Sequence, residues 1–433
     1  MLNKKYLIEE KLPDDYCTNP NKKLSLREHQ KFAIEKFQSK TSKGLLIYYE
    51  MGSGKTLIAL ELAKILKKKT YLITSAILNN NFKNEMKKFG YNFEYEFISL
   101  DNVNEKRYDF NNSFVIMDEC HLFFNQVINS GSSTYMLLDQ ATSCDILLLT
   151  GTPIYTNPFE LSAMFNLISE IQLFPRKGVI FNKEFYNDIT FEIYREKKFK
   201  EKIEGLVLYF PGYVDNIHVF PKKEKVKYIW HKSGSTMERK TDDYNRVYNF
   251  PETPTLSNLK KYSPKFAYIM QFIDEHPEEK IMIFSDIPEV VSKLEEVLSL
   301  KYKFGKDFLI ATDDDINIIN KFNADKNIRI IVTNAKYGIS LMGVRYVHLL
   351  ESPKSATEFN QIVARATRLC SHTEYELTKR NVYIYLHINY DSLFSKNVDY
   401  NVFYTMFMYF CLISDFERVL REVSIGPVIE NSN

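Results

Sequence analysis

The stretch Glu50-Met51-Gly52-Ser53-Gly54-Lys55-Thr56 sets two glycines around a serine and follows them with a cation and a hydroxyl. Gly52 and Gly54 free the backbone, together with Ser53 between them, to bring N–H groups close to a phosphate. Lys55 is then placed to reach the outer phosphates of a nucleotide, and the Thr56 hydroxyl to ligate Mg²⁺. Tyr49 stands where the GxxxxGK[ST] pattern has its first glycine, and a plain glycine turn opening a surface helix would use the same residues. The flanks favour the phosphate site. Leu45–Tyr49 reads as a short buried strand, and Leu57–Leu66 has helical spacing without a breaker. A helix starting there would add the positive end of its dipole.

A second set of side chains could act on a bound nucleotide. The run VIMDECH ends an apolar strand in Asp118 and Glu119. Asp118 suits a carboxylate that serves the Mg²⁺ ion, and Glu119 a base that orients and deprotonates the attacking water. His121 is placed to link the nucleotide to the next element, LLLTGTPI, where Thr150, Gly151 and Thr152 suit a hydrogen-bonding hinge. Upstream, Arg27 and Gln30 are three residues apart on one helical face, and a glutamine can pair with an adenine edge. In QIVARATR, Gln361, Arg365 and Arg368 fall at i, i+4 and i+7 on one predicted helical stripe. Two arginines so presented suit a γ-phosphate approached from another domain. Taken singly, each set has a plainer reading: a solvated strand end, a structural histidine, a turn before Pro153, a surface glutamine, a basic face.

The elements around these residues alternate. TYLITSA (70–76), FVIMDE (114–119) and DILLLTGTP (145–153) are apolar runs with polar ends, as in a parallel sheet covered by helices. Such a sheet gathers its ligands at the carboxyl ends of its strands. Alternation resumes at KIMIFSD (280–286) and continues through VYIYLH (382–387). We therefore expect an N-terminal arm over 1–23, a nucleotide-binding domain over 24–169, an inter-domain insertion over 170–262, a second α/β domain over 263–395 and a helical extension over 396–433. The insertion holds the basic clusters YREKKFKEK and PKKEKVK, which read as solvated faces or as a phosphate-contacting surface. In the extension, Phe403, Phe407 and Phe410 share a helical stripe that is oily nearly all round. It is expected to pack on the second domain or to meet another protein.

With 433 residues, 26% charged and 45% hydrophobic, the chain reads as a soluble globular protein of two or three domains. Its net charge of +2 leaves any nucleic acid to be held by local patches. Five cysteines without a C-x-x-C pair fit reduced thiols and no zinc site. The longest apolar run, Val402–Ile413, is too short to span a bilayer, so no membrane partner is expected.

EMGSGKT, DECH, LTGTP and QxxARxxR, in this order over about residues 24–390, resemble the core of superfamily 2 helicases. TGTPIYTNPFEL, GLVLYFPG and the segment from GISLMGV to RNVYIY are similar to the helicases of large cytoplasmic DNA viruses. Those include poxvirus nucleoside triphosphate phosphohydrolase I and the early transcription factor small subunit, with related helicases on yeast linear plasmids. The resemblance implies an α/β fold of two tandem RecA-like domains, parallel sheets covered by helices, with a middle insertion and a short helical C-terminal extension. It implies ATP on Gly52–Thr56, Mg²⁺ at Thr56 and Asp118, catalysis by Glu119, coupling through Thr150 and Thr152, and arginine fingers at Arg365 and Arg368. Thr74, Ser75, Thr333 and Asn334 match segments that touch the nucleic-acid backbone. The usual Gly-Arg of the last motif is Ala364-Arg365 here. The implied activity is an ATP-dependent helicase or translocase, with DNA favoured over RNA and an RNA polymerase or transcription-factor subunit as a further partner. The implied setting is cytoplasmic, including packaging in a virion. The competing reading is an initiation or termination factor subunit that uses ATP as a conformational switch without separating strands.

Overall fold

A computed structural model describes residues 16–17, 25–100, 107–130, 141, 143–187, 190, 192–212, 219–232, 254–312, 315–334, 340–390 and 398–424. The expected arm over 1–23 lies almost wholly outside these. The chain divides into two compact units, one of residues 1–214 with 409–433 and the other of residues 215–408.

The first unit is built on a six-stranded sheet. Its strands are β1 (Gly44–Tyr49), β2 (Thr70–Thr74), β3 (Tyr95–Ser99), β4 (Phe114–Asp118), β5 (Asp145–Thr150) and β6 (Val207–Phe210), in the order β3-β2-β4-β5-β1-β6. Every pairing is parallel. A parallel sheet is covered on both faces, which is why its strands are near-continuous apolar runs. Side chains still alternate with period two: Leu46 and Tyr48 enter one core, Leu45, Ile47 and Tyr49 the opposite one. The helices are α1 (Glu28–Gln38), α2 (Lys55–Leu66), α3 (Ala76–Phe89), α4 (Cys120–Ser130), α5 (Glu160–Ile168), α6 (Gly178–Phe185) and α7 (Glu196–Ile203).

The second unit repeats the scheme. Its strands are β7 (Lys222–Lys223), β8 (Lys227–Lys232), β9 (Lys280–Phe284), β10 (Phe308–Ala311), β11 (Ile330–Thr333), β12 (Val344–Leu349) and β13 (Asn381–Tyr390). The order is β8-β13-β12-β9-β11-β10, with β7 beside the start of β13, and all pairings are parallel. Helices α8 (Pro264–Glu275), α9 (Pro288–Ser299), α10 (Ile316–Ala324) and α11 (Ala356–Ala364) belong to it, and α12 (Val398–Val423) closes the described chain. These are the two RecA-like α/β domains that the motifs imply.

Three features differ from the expectation. Residues 170–262 are not one insertion: β6 adds an edge strand to the first sheet, and β8 adds one to the second. The cluster YREKKFKEK is a helix that buries Phe199 and Ile203, while Lys200 pairs with Glu422 at 2.6 Å and Arg418 with Glu196 at 2.8 Å. Several of its charges are answered within the protein, which favours a solvated face over a phosphate-contacting surface. Helix α12 is shared between the two units. Met406 joins a core of the second, whereas Leu412, Ile413, Phe416, Val419 and Leu420 join a core of the first. Phe407 and Phe410 are half exposed, so the aromatic stripe is not the buried one. Among the described residues Cys120, Cys144 and Cys411 are free. No described helix is long and apolar enough to cross a membrane.

Candidate active site

Strand register brings the candidate residues to one end of the first sheet. Asp118 pairs with Leu149, and Thr150 with Tyr48, so the carboxyl ends of β4, β5 and β1 lie level where the glycine loop leaves β1. Gly52 and Gly54 have φ of 80° and 78°, the left-handed region that a Cβ disfavours. A Cβ on Gly54 would also stand 2.4 Å from Gln30 Nε2. Gly54 caps α2, so Lys55 and Thr56 open that helix. Lys55 is almost fully buried, and its ammonium donates to the Tyr49 carbonyl at 2.9 Å. Tyr49, in the place of the usual glycine, is the last residue of β1, and its hydroxyl donates to the His29 carbonyl at 3.0 Å. The departure thus falls in the strand and leaves the turn intact.

Arg27 and Gln30 do not share a helical face: Arg27 is the residue before α1, with extended backbone. Gln30 Oε1 accepts from Arg27 N at 2.8 Å, and its Nε2 donates to the carbonyls of Ser53 and Gly54 at 3.1 and 3.2 Å. The amide that could read an adenine edge therefore holds the loop. His29 was not singled out from the sequence. It is fully buried, stacks on Phe210 with centroids 4.0 Å apart and meets the Ser53 carbonyl at 2.9 Å through Nε2. A histidine one residue from a glutamine carries no signal of that kind, because the contact depends on the loop returning to α1.

Glu119 follows β4 with φ of 49°, an uncommon conformation for a residue with a side chain. That bend ends the strand at Asp118, starts α4 at Cys120 and turns both carboxylates out of the sheet. Asp118 Oδ1 accepts from Glu119 N at 3.1 Å. Burial first, then the Glu119 charge, pushes Asp118 up to about 7, with Lys55 opposing. Such a carboxylate gains from a cation. Thr56 offers a hydroxyl, Asp118 an anionic oxygen, and Glu119 Oε2 is buried without a hydrogen bond among the described residues. A hard, oxygen-seeking divalent ion bound mainly through phosphates fits this donor set.

His121 is fully buried and burial holds it down to about 4, so it is neutral. Its Nδ1 lies 2.9 Å from Thr150 Oγ1 and 3.5 Å from Glu119 Oε2. Thr150 donates to the Thr152 carbonyl at 3.0 Å and accepts from Thr152 N at 3.0 Å. With its one proton so used, Thr150 meets a donating Nδ1–H. Gly151, between the threonines, would bring a Cβ within 3.5 Å of Lys55 Nζ. Glu119, His121, Thr150 and Thr152 are brought together.

The residues matched to nucleic-acid contacts are placed less simply. Thr74 is fully buried, and its hydroxyl donates to the Asp118 carbonyl at 3.0 Å. Ser75 caps α3, accepting from Leu78 N at 3.4 Å. In the second unit Thr333 ends β11 fully buried, and Asn334 follows it with a buried Oδ1. A phosphate contact at Thr74 or Thr333 would fall to the backbone. Gln361 is buried in α11, which ends at Ala364; Arg365 caps it and Arg368 lies in the turn beyond. The single helical stripe of Gln361, Arg365 and Arg368 is therefore corrected: the helix stops short of both arginines. Arg365 is buried and Arg368 half-buried.

Known proteins agree with this assembly of parts. The family profile described as helicase conserved C-terminal domain matches residues 264–370, and that of the type III restriction enzyme res subunit matches residues 23–112. Two proteins of Acanthamoeba polyphaga mimivirus named as ATP-dependent RNA helicases are similar to this chain. One is 26% identical over 84% of this chain and 82% of its own length, the other 24% identical over 84% and 88%. A termination factor NPH-I homolog of African swine fever virus is 28% identical over 42% of this chain and 30% of its own length. With a match to the helicase C-terminal domain behind an ATP-binding loop, the chain is similar to the superfamily 2 helicases and is a helicase-type, ATP-hydrolysing enzyme.

Proposed function

We propose that the protein is a nucleic-acid-stimulated ATPase that translocates on DNA and acts in the transcription of a cytoplasmic DNA virus or plasmid. The observation that carries this is the run Glu119–His121–Thr150–Thr152, in which the hydrolytic carboxylate lies 3.5 Å from a buried histidine that is hydrogen-bonded to the end of another strand. A simple phosphatase has no use for such a link. In the proposed mechanism the loop N–H groups of Gly52–Gly54 and the Lys55 ammonium, drawn off the Tyr49 carbonyl, hold the phosphates of ATP. Thr56 and Asp118 would hold Mg²⁺, which would supply positive charge to the phosphates when bound. Glu119 orients the attacking water and takes its proton. Arg365 and Arg368 supply positive charge to the γ-phosphoryl group as it transfers. Gln361, Gln30 and Arg27 support nucleotide binding, the last two through the loop. Ser75, Asn334 and the backbone at Thr74 and Thr333 serve the nucleic-acid strand.

The similarity to a termination factor homolog supports a transcription role, with an RNA polymerase or another factor subunit as partner and the cytoplasm or the virion as its setting. The test is the ATPase rate against a panel of single- and double-stranded DNA and RNA. Stimulation, strongest with DNA and fading with salt, is expected. A rate indifferent to every nucleic acid would overturn the translocase reading and favour the ATP switch.

A further inference from the structure

The only tryptophan of the chain is not in a core. Trp230 lies on β8, the edge strand of the second sheet, and is 45% exposed. Trp is a costly residue to leave in water unless something covers it. Its surroundings brace the indole from the side. Phe403 meets it at 87° with centroids 5.7 Å apart, Tyr390 at 74° and 6.3 Å, and Tyr400 is tilted at 43° and 6.3 Å. Among the described residues no ring lies parallel over it. Tyr228, two residues earlier on the same face of β8, is equally exposed and is held by Phe403 at 66°. Tyr404 and Phe407, in the part of α12 that belongs to this unit, extend the aromatic surface.

The charge beside these rings is of one sign. Residues 222–232, KKEKVKYIWHK, run along β13 as β7 and β8 and carry five exposed lysines against one glutamate. Glu224 is answered by Lys222 at 3.1 Å. Lys227 lies over the Tyr385 ring on the other face of the strand. Among the described residues no carboxylate pairs with Lys223, Lys225 or Lys232. By the two-residue period Lys232 shares the face of Trp230 and Tyr228. At about 3.3 Å per residue the ribbon is roughly 30 Å long. From Tyr400 to Ser414 the adjoining helix has no charged residue, so nothing there offsets the lysines.

We propose that this edge is a stacking platform for single-stranded nucleic acid, separate from the residues that serve the motor. Bases stack on Trp230 and Tyr228, Lys232 on the same face neutralises a phosphate beside them, and Lys223 and Lys225 extend the positive edge toward β7. Braced rings with open faces, interleaved with unpaired cations, suit a polymer that alternates flat rings and anions. An apolar protein surface would match the rings and leave the lysines unanswered. The platform reads neither sequence nor sugar, because it offers ring faces and point charges. This proposal rests on nucleic acid being the ligand of the enzyme.

A single tryptophan makes the test direct. The full-length protein is titrated with oligo(dT), oligo(rU) and a blunt duplex while the emission of Trp230 is followed. Binding of labelled oligo(dT) is measured in parallel by anisotropy. Both single strands should quench the emission, and the duplex should do so only at higher concentration. Trp230→Ala should weaken oligo(dT) binding about tenfold, within the range for losing one stacked base. Trp230→Phe, which keeps a braced ring, should recover part of it. Lys232→Ala should flatten the log–log salt slope by about 0.7, one phosphate contact. None of these variants should change the melting temperature notably or the ATPase rate without nucleic acid. Unchanged oligo(dT) affinity in Trp230→Ala overturns the platform even if the wild-type emission is quenched, and leaves the motor reading intact. Quenching that appears on raising protein concentration, with no response to oligonucleotide, overturns it in favour of a protein contact. If the wild-type protein binds no nucleic acid by either readout, the proposed function falls and the platform with it.

Discussion

His121 Nδ1 stands 2.9 Å from Thr150 Oγ1, with both side chains fully buried, so a neutral imidazole joins the carboxylate end of β4 to the threonine end of β5. The same nitrogen is 3.5 Å from Glu119 Oε2. Any movement of Thr150 against β4 must break or remake that bond, because both groups are buried among protein atoms. The link is a means of passing the state of the nucleotide to the turn at Gly151 and Thr152.

From this follows a separation of hydrolysis from stimulation. His121→Ala and Thr150→Val should retain ATP binding and most of the basal rate. The factor by which nucleic acid raises the rate should fall by about 5- to 150-fold, the span of typical coupling free energies. Measuring the ratio of stimulated to basal rate decides it. A ratio equal to wild type would mean that the imidazole is only packing.

Lys55 and Glu119 should fail in different ways. Lys55→Ala removes the cation nearest the loop carbonyls and should weaken ATP binding. Glu119→Gln keeps the side-chain shape at the φ of 49° but cannot take a proton. It should bind ATP normally and lose turnover by about a hundredfold or more, the scale of general-base catalysis. Equilibrium nucleotide binding together with single-turnover hydrolysis separates the two, and normal turnover in Glu119→Gln would remove it from the mechanism.

Arg368 belongs to the other unit from Lys55 and Glu119. If it supplies charge to the transferring phosphoryl group, Arg368→Ala should leave nucleotide affinity nearly intact and cut the rate by about a thousandfold, the lower range for such arginines. Arg365, being more buried, should also lower the melting temperature when replaced. A loss of affinity equal to the loss of rate in Arg368→Ala would assign it to ground-state binding.

The sequence made the nucleotide end of the first sheet legible because its motifs are local. Gly52, Gly54, Asp118, Glu119 and Thr150 each sit at a strand end or a helix start, and their flanks show it. What could not be read depends on contacts distant in the chain. Gln30 and His29 act on a loop some twenty residues later, and β6 and β8 pair with strands made far from them. The basic run 195–202 hid a helix whose charges are answered by residues in α12. Period and propensity could not say that the buried face of α12 holds Leu412, Phe416 and Leu420, and not Phe407 and Phe410.

Helix α12 should be needed to fold the first unit. Phe416 packs edge-on to Phe199 with centroids 5.5 Å apart, inside a core that also holds Leu412, Val419 and Leu420. Phe416→Ala should cost about 3–5 kcal/mol, the usual range for a large ring removed from a core. A fragment ending at residue 262 lacks this whole face and should aggregate or melt low, even though it contains the loop, Asp118 and Glu119. Joining residues 409–424 to residues 25–212 through a flexible linker should restore a cooperative transition. A fragment 1–262 that melts like the full chain would show that α12 is dispensable.

Stability should also respond to pH through one residue of that helix. Burial pushes the Glu417 carboxyl up to about 7, opposed by Arg421 and reinforced by Glu50, with the Tyr48 and Tyr209 hydroxyls close by. The folded chain therefore holds a proton on Glu417 that the unfolded chain releases near the ordinary glutamate value. A group raised on folding stabilises fully below the unfolded pKa, and the contribution is lost as pH rises through the folded one. For Glu417 the loss runs from about 4.5 to about 7. His231 and His348, held down to about 4 and about 3 by burial, act in the opposite sense. Their contribution is complete above about 6.5 and is lost as pH falls toward those values. Glu417→Gln removes only the first slope, so its melting temperature relative to wild type should rise between pH 5 and pH 8. The comparison is made by thermal melts in matched buffers, and a difference that stays flat or falls with pH would show that Glu417 is ionised in the folded chain throughout.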